Sequence, residues 1–169
     1  MLLSLDIAYK NMGWAVFNNH TLIAVGCIKT EKTTDKKVRV SADNAERIKY
    51  ITGELLDVCK QWGVKGIIGE MPSGAKGHRA AVSMAFASAI VVAVATFLDL
   101  PTEFATQQQV KKAVYGNMTA TKDEMMESIR FIFRDFNYFP KVKNQFEHIA
   151  DACGVWIALQ STTLVKVYG

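Results

Sequence analysis

The chain has 169 residues, 50% apolar and 21% charged, which is the composition of one globular domain with room for a core and excludes a disordered or fibrous chain. Lysine and arginine total 20 against 16 aspartates and glutamates, a formal charge of +4 that suits a polyanionic partner without requiring one. The three cysteines, Cys27, Cys59 and Cys153, are scattered with no CxxC pair, so they read as buried thiols in a reducing, intracellular compartment rather than as a zinc or disulfide framework.

From the first residue the pattern is that of a strand, Leu2 to Ile7, with no basic stretch and apolar run ahead of it to make a secretion signal. A turn at Tyr9-Lys10-Asn11-Met12 leads to a second short apolar run, Gly13 to Phe17. Asn18-Asn19-His20 then turns the chain into a third, Leu22 to Ile28. The charged stretch from Glu31 to Arg39 reads as a solvated loop. A helix follows to about Trp62, with Ser41 or Asp43 as its cap and Ile48, Ile51, Leu55, Leu56 and Cys59 at helical spacing.

Gly63 ends that helix, and Val64 to Gly69 predicts a buried strand closing on Glu70. The loop Met71 to Gly77 leads to an uncharged Ala-rich stretch, Ala80 to Leu98. Its length approaches that of a membrane span. Its small residues favour close packing in protein, so the expectation is a core or interface helix and no membrane. Leu100 to Ala105 predicts a short strand and Thr106 opens a helix to Tyr115. Another helix runs from Thr121 to Phe136 behind a Thr121/Glu124 capping box, and a last one from Gln145 to Thr162. Three antiparallel strands followed by βαβ crossovers predict a single α/β domain over 1–169. Its mixed five-stranded sheet has three antiparallel strands, then two parallel ones, with helices on both faces.

Three acidic signals stand out. Asp6 sits in the apolar run Leu3-Ser4-Leu5-Asp6-Ile7, where a carboxylate is costly unless it is paired, cation-bound or turned to a solvated face. Glu70 ends Gly66-Ile67-Ile68-Gly69, at the carboxyl end of a strand, where α/β sheets place their sites. His148 and Asp151 are three apart on a helix that continues almost wholly apolar, so they are neighbours on one surface. Each alone fits a surface role. Carboxylates with one histidine and no cysteine cluster favour a hard cation, Mg²⁺ or Mn²⁺. Two such ions are the arrangement that suits phosphodiester cleavage.

Taken in order, these elements resemble the RuvC-type Holliday junction resolvases of the ribonuclease H-like superfamily. The resemblance rests on Asp6 followed by Gly13, on Glu70 ahead of an uncharged helix, and on His148-Ile149-Ala150-Asp151-Ala152. It also rests on Gln109-Val110-Lys111 with Gly116 and Lys122 at matching separations. It covers nearly the whole chain. It implies a crossover junction endodeoxyribonuclease with Asp6, Glu70, His148 and Asp151 as catalytic metal ligands for two Mg²⁺ or Mn²⁺ ions. Lys111 and Lys122 would contact the scissile strand. A homodimer joined through the helix at 80–98 would bind a four-way DNA junction. Lys10, Lys76, His78, Arg79 and Lys112 fall in segments near these motifs and are expected to hold phosphates.

The departures are specific. Ser73 stands where studied bacterial members carry an aromatic that inserts near the junction centre. Met118 replaces a second glycine, and Asp6-Ile7-Ala8 replaces Asp-Pro-Gly. Rival readings are a non-catalytic junction binder, a cutter of flaps or RNA–DNA hybrids, and an actin-like or sugar-kinase-type ATPase. The last requires a second glycine-rich phosphate loop, which this sequence lacks.

Overall fold

The structure, a computed structural model, describes residues 1–72 and 74–168. Strands β1 (Leu2–Asp6), β2 (Asn11–Asn18) and β3 (Thr21–Lys29) form the expected meander. β2 starts earlier than Gly13 because Asn11 and Met12 pair with Lys29 and Ile28. Asn19 and His20 turn the chain with φ of 46° and 65°, the pair of positive values that a tight two-residue hairpin demands. Then come α1 (Val40–Gln61), β4 (Gly66–Glu70), α2 (His78–Phe97), β5 (Thr102–Ala105), α3 (Gln107–Tyr115), α4 (Lys122–Ile132), α5 (Lys143–Leu159) and α6 (Thr163–Tyr168).

The sheet order is β3-β2-β1-β4-β5, antiparallel across the first three strands and parallel at β1/β4 and β4/β5. Strand alternation divides the core in two. Leu3, Leu5 and Ile67 pack with Ile51 and Leu55 of α1 and Ile90, Val91 and Val94 of α2. Leu2, Phe17 and Ile68 face the other way, onto Val110 of α3, Ile129 of α4 and Ile149, Cys153 and Trp156 of α5. Helices therefore cover both faces. The second layer centres on α5, which is buried along most of its length. Fully buried Ser4 is satisfied there, its Oγ donating to the Ala152 carbonyl at 2.6 Å, a bond worth about 1 kcal/mol. It ties β1 to α5 just below Asp6.

Several boundaries differ from the sequence reading. Neither Ser41 nor Asp43 caps α1. Arg39 occupies the cap position without a side-chain hydrogen bond, and Asp43 lies within the first turn. The Asp43 carboxylate instead accepts from the Thr33 amide at 2.9 Å and anchors the preceding loop. α2 begins at His78 rather than Ala80. α4 stops at Ile132 rather than Phe136, because Phe133 turns onto Phe17 and Trp156 while Phe139 packs on Phe146. α5 covers Lys143–Leu159 rather than 145–162; Thr162 closes a turn onto the Leu159 carbonyl, and α6 follows. Cys59 and Cys153 are buried as expected, whereas Cys27 is half-buried.

By length and composition α2 is long and apolar enough to cross a membrane, yet Ala87, Ile90, Val91, Val94 and Ala95 form a stripe in the protein core. Only 28% of its most apolar window is buried. The remaining surface, including Ala81, Ala85, Ala89, Val92, Ala93 and Phe97, is an uncharged exposed face.

Candidate active site

β1 and β4 run parallel and end together, so Asp6 and Glu70 are register partners at the carboxyl ends of adjacent strands. Alternation puts Asp6 on the face of Leu2 and Ser4, and Glu70 on the face of Ile68. This is the α5 side of the sheet. Gly13 pairs with Asp6 from β2. A Cβ on Gly13 would lie 2.0 Å from the His148 carbonyl oxygen, so the helix reaches the sheet here only because the residue beneath it has no side chain. His148 is thereby seated over β1, with its Nδ1 2.8 Å from Asp6 Oδ2. Asp151 follows one helical turn later on the same surface.

These groups feel one another strongly. Burial first, and then the charge of Asp6, push the Glu70 carboxyl up to about 7, with Lys111 opposing. Burial, reinforced by Asp6 and Glu70, pushes Asp151 up to about 8, with His148 opposing. The hydrogen bond to Asp6 raises His148 above its ordinary value against the opposing effect of burial, and Asp6, Glu147 and Asp151 add to the rise. Three carboxyl groups and an imidazole thus lie near enough to act on one another at this partly buried end of the sheet, where negative charge is in excess. The oxygen-rich donor set is the kind that hard divalent cations satisfy. Among the described residues, no three His, Cys, Asp or Glu side chains converge as a ready-made cage. The Oδ2 of Asp6 is engaged by His148, and gathering the set requires side-chain rotation.

The basic residues divide. Lys111, half-buried on α3, acts on Glu70. Lys122, the first residue of α4, lies close enough for Asp151 and Asp6 to raise its pKa, after the larger effect of Glu147. Lys112, the next residue round α3, is exposed, as are Lys10 and Lys76 in the loops after β1 and β4. His78 and Arg79 open α2 and line a cavity of about 360 Å³ against α1, together with Lys32, Asp43 and Arg47. That cavity faces the other layer of the molecule, so these two residues are not part of the carboxylate pocket. Ser73 lies outside the described residues.

Glu147 escaped the sequence reading. It precedes His148 on α5, is 20% exposed, and forms an ion pair with Lys122. The hint in the sequence is its place four residues before Asp151, one turn away on the same helix face.

No curated protein matches the chain in sequence. Among solved structures it is similar to T. thermophilus RuvC in complex with a Holliday junction substrate, with a TM-score of 0.72 and 20% identity over 93% of this chain and 90% of that one. It is also similar to a second Thermus thermophilus RuvC structure, with a TM-score of 0.68 and 19% identity over 93% and 91%. The yeast mitochondrial Holliday junction resolvase aligns with a TM-score of 0.62 and 13% identity, over 99% of this chain and 80% of that one. These likenesses show the shared fold. The sequence itself matches the family model "Crossover junction endodeoxyribonuclease RuvC" over residues 2–159, nearly its whole length and every element of the pocket, and the chain therefore belongs to the RuvC family of crossover junction endodeoxyribonucleases.

Proposed function

We propose that the chain resolves four-way DNA junctions by hydrolysing phosphodiester bonds at the pocket formed by Asp6, Glu70, His148 and Asp151. The observation that carries this is the convergence of β1, β4 and α5. Asp6 stands in register with Glu70 and touches His148, a residue 142 positions away. Family membership is against the ATPase alternative, and all four positions hold competent ligands, as a working nuclease requires.

The family is one of metal-dependent nucleases. Asp6, Glu70, Asp151 and the neutral form of His148 are the donors for Mg²⁺ or Mn²⁺, and two ions fit a set of three carboxylates with one imidazole. Bound there, divalent cations would supply a water activated for attack and neutralise charge building on the phosphate. Asp6, which stands in register with Glu70 and touches His148, would be a ligand common to the site. Lys111 and Lys122 flank the pocket and orient the scissile phosphate through its non-bridging oxygens. Attack by water on phosphorus with cleavage of the P–O3′ bond, the O3′ oxygen leaving as a hydroxyl, would give a 5′-phosphate and a 3′-hydroxyl. Exposed Lys10, Lys76, Lys112 and Arg79 neutralise backbone phosphates further along the arms, where His78 can donate a hydrogen bond. Work on recombining DNA sets this activity inside a cell.

A second copy of the chain would cover the uncharged outer face of α2. Two-fold symmetry then presents one pocket to each of two opposed strands.

The decisive assay compares four-way junction, flap, RNA–DNA hybrid and linear duplex side by side, in Mg²⁺, in Mn²⁺ and in EDTA. Preferential cutting of the junction, dependent on the cation and lost in Asp6→Asn, is expected. Junction binding without cutting in either metal would turn the assignment to a non-catalytic binder.

A further inference from the structure

The N-termini of α4 and α5 are laced together by two crossed ion pairs. Lys122 of α4 meets Glu147 of α5, and Asp123 of α4 meets Lys143 of α5 at 2.7 Å. The two pairs differ in setting. Asp123 and Lys143 are both widely exposed, at 67% and 70%, as ordinary surface pairs are. Glu147 is 20% exposed and Lys122 75%, so the carboxylate is the enclosed member and the lysine reaches it from solvent. The capping box of Thr121 and Glu124 fixes the backbone from which Lys122 projects. Glu147 precedes His148 and stands one helical turn before Asp151 on α5, so the Lys122 ammonium that it pairs with lies at the mouth of the carboxylate pocket.

A carboxylate on this rim has a cost. It repels incoming phosphates and lowers the net positive field that draws DNA in. A residue serving only to bind DNA would not be acidic here, and one serving only to lace the helices would duplicate Asp123–Lys143. Left unpaired, a lysine with four rotatable bonds would sweep through solvent.

We propose that Glu147 is a positioning residue that holds the Lys122 ammonium at the mouth of the pocket, so that Lys122 meets the scissile phosphate from one fixed direction. The proposal rests on the nuclease reading above and adds a residue to it. Glu147 contacts neither DNA nor the reacting atoms; it acts through Lys122. It gives up some binding strength in exchange for orientation at the reacting phosphate, an exchange that raises turnover rather than affinity.

The experiment uses the full chain and a four-way junction. Single-turnover cleavage is measured in Mg²⁺ and junction affinity in EDTA, for the wild type, Glu147→Gln, Asp123→Asn, Lys122→Ala and the double variant Glu147→Gln/Lys122→Ala. Glutamine keeps the shape and removes the charge, and Glu147→Ala stands in if the Gln variant melts early. Glu147→Gln should cut about fivefold more slowly, the range of an exposed-to-half-buried ion pair, while binding the junction as tightly as the wild type or tighter. Asp123→Asn should cut at the wild-type rate, and in the Lys122→Ala background the Gln substitution should change nothing further. An unchanged rate in Glu147→Gln would overturn the proposal. So would an equal loss in Asp123→Asn, or a Gln effect that persists without Lys122. A wild type that binds junctions and cuts none would instead sink the nuclease reading, and this inference with it.

Discussion

His148 Nδ1 lies 2.8 Å from Asp6 Oδ2, a contact that joins the end of β1 to the second turn of α5 across 142 residues of chain. It commits Nδ1 of the imidazole to a carboxylate, so one of the two side chains must turn before both can serve the same cation. It also holds a proton on the ring at higher pH than usual. Asp6 is therefore the hub of the pocket: it bonds His148 and raises both Glu70 and Asp151.

Replacing Asp6 with Asn should therefore abolish cutting and spare binding. Losing a ligand that stabilises transition-state charge costs several kcal/mol, on the order of a thousandfold in rate. The phosphate contacts, carried by lysines elsewhere, remain. Junction affinity in EDTA should equal or exceed that of the wild type, since one negative charge is gone. Cleavage by the variant within about tenfold of wild type would remove Asp6 from the chemistry.

The raised carboxyl groups make a pH prediction whose sign can be worked out. Glu70 at about 7 and Asp151 at about 8 hold protons in the folded protein that the unfolded chain releases near 4.5 and 3.8. The folded state thus binds more protons across this interval, and its stability falls as pH rises through it. His148, also raised, acts in the same direction. Without divalent cations, the melting temperature should drop between about pH 5.5 and about pH 8.5. Added Mg²⁺ or Mn²⁺ displaces those protons, so its stabilising effect should be larger at the alkaline end. Differential scanning fluorimetry at the two pH values, with and without metal, tests both halves. Equal metal-induced shifts at both pH values would contradict the donor set.

Much of this pocket was legible before any coordinates, and the reasons are particular. Asp6 and Glu70 interrupt or end apolar runs, where a charge needs an explanation. That they are neighbours was not legible, because the connection through α1 carries the chain from β3 past β2 and β1 to pair β4 with β1. His148 and Asp151 are related by helical geometry alone. Glu147 was not legible, because its partner Lys122 lies on another helix and only the packing of α4 on α5 brings the two together. The end of α4 was misread for a similar reason. Phe133 continues the helical spacing, but tilted and edge-on packing against Phe17 and Trp156 outweighs local preference. At the start of α1, Asp43 is a competent cap by residue type, yet its carboxylate is taken by the Thr33 amide.

Gly13 offers a test of the seating of α5. Alanine there would force its Cβ against the His148 carbonyl, where backbone rather than a flexible side chain must yield. The expected cost is about 3 kcal/mol, at the upper end for overpacking in a close-packed interior. Cleavage should fall as well, because any lift of α5 carries His148 and Asp151 away from Asp6. Gly53, on α1 with open space around its Cβ position, is the control. Its replacement by alanine should be neutral or stabilising by up to about 1 kcal/mol. Urea midpoints and cleavage rates for the two variants settle the matter. A Gly13→Ala protein as stable and active as the wild type would mean that the helix does not need this close approach.

The exposed face of α2 leads to the last prediction. Ala81, Ala85, Ala89, Val92, Ala93 and Phe97 present no charge, and Phe97 is 80% exposed. Small residues spaced about one turn apart let a second helix approach closely, so pairing of two copies through this face would bury the phenyl rings without rearranging either core. Sedimentation should find the wild type as a dimer and Ala89→Glu as a monomer. Because Ala89 is exposed in the single chain, a glutamate there should leave the melting temperature of the monomer little changed, which separates loss of pairing from loss of fold. The monomeric variant should still nick junctions slowly but fail to make the paired cuts that convert a four-way junction into two duplexes. A wild type that sediments as a monomer, or an Ala89→Glu protein that remains dimeric and resolves junctions normally, would show that symmetry arises through another surface.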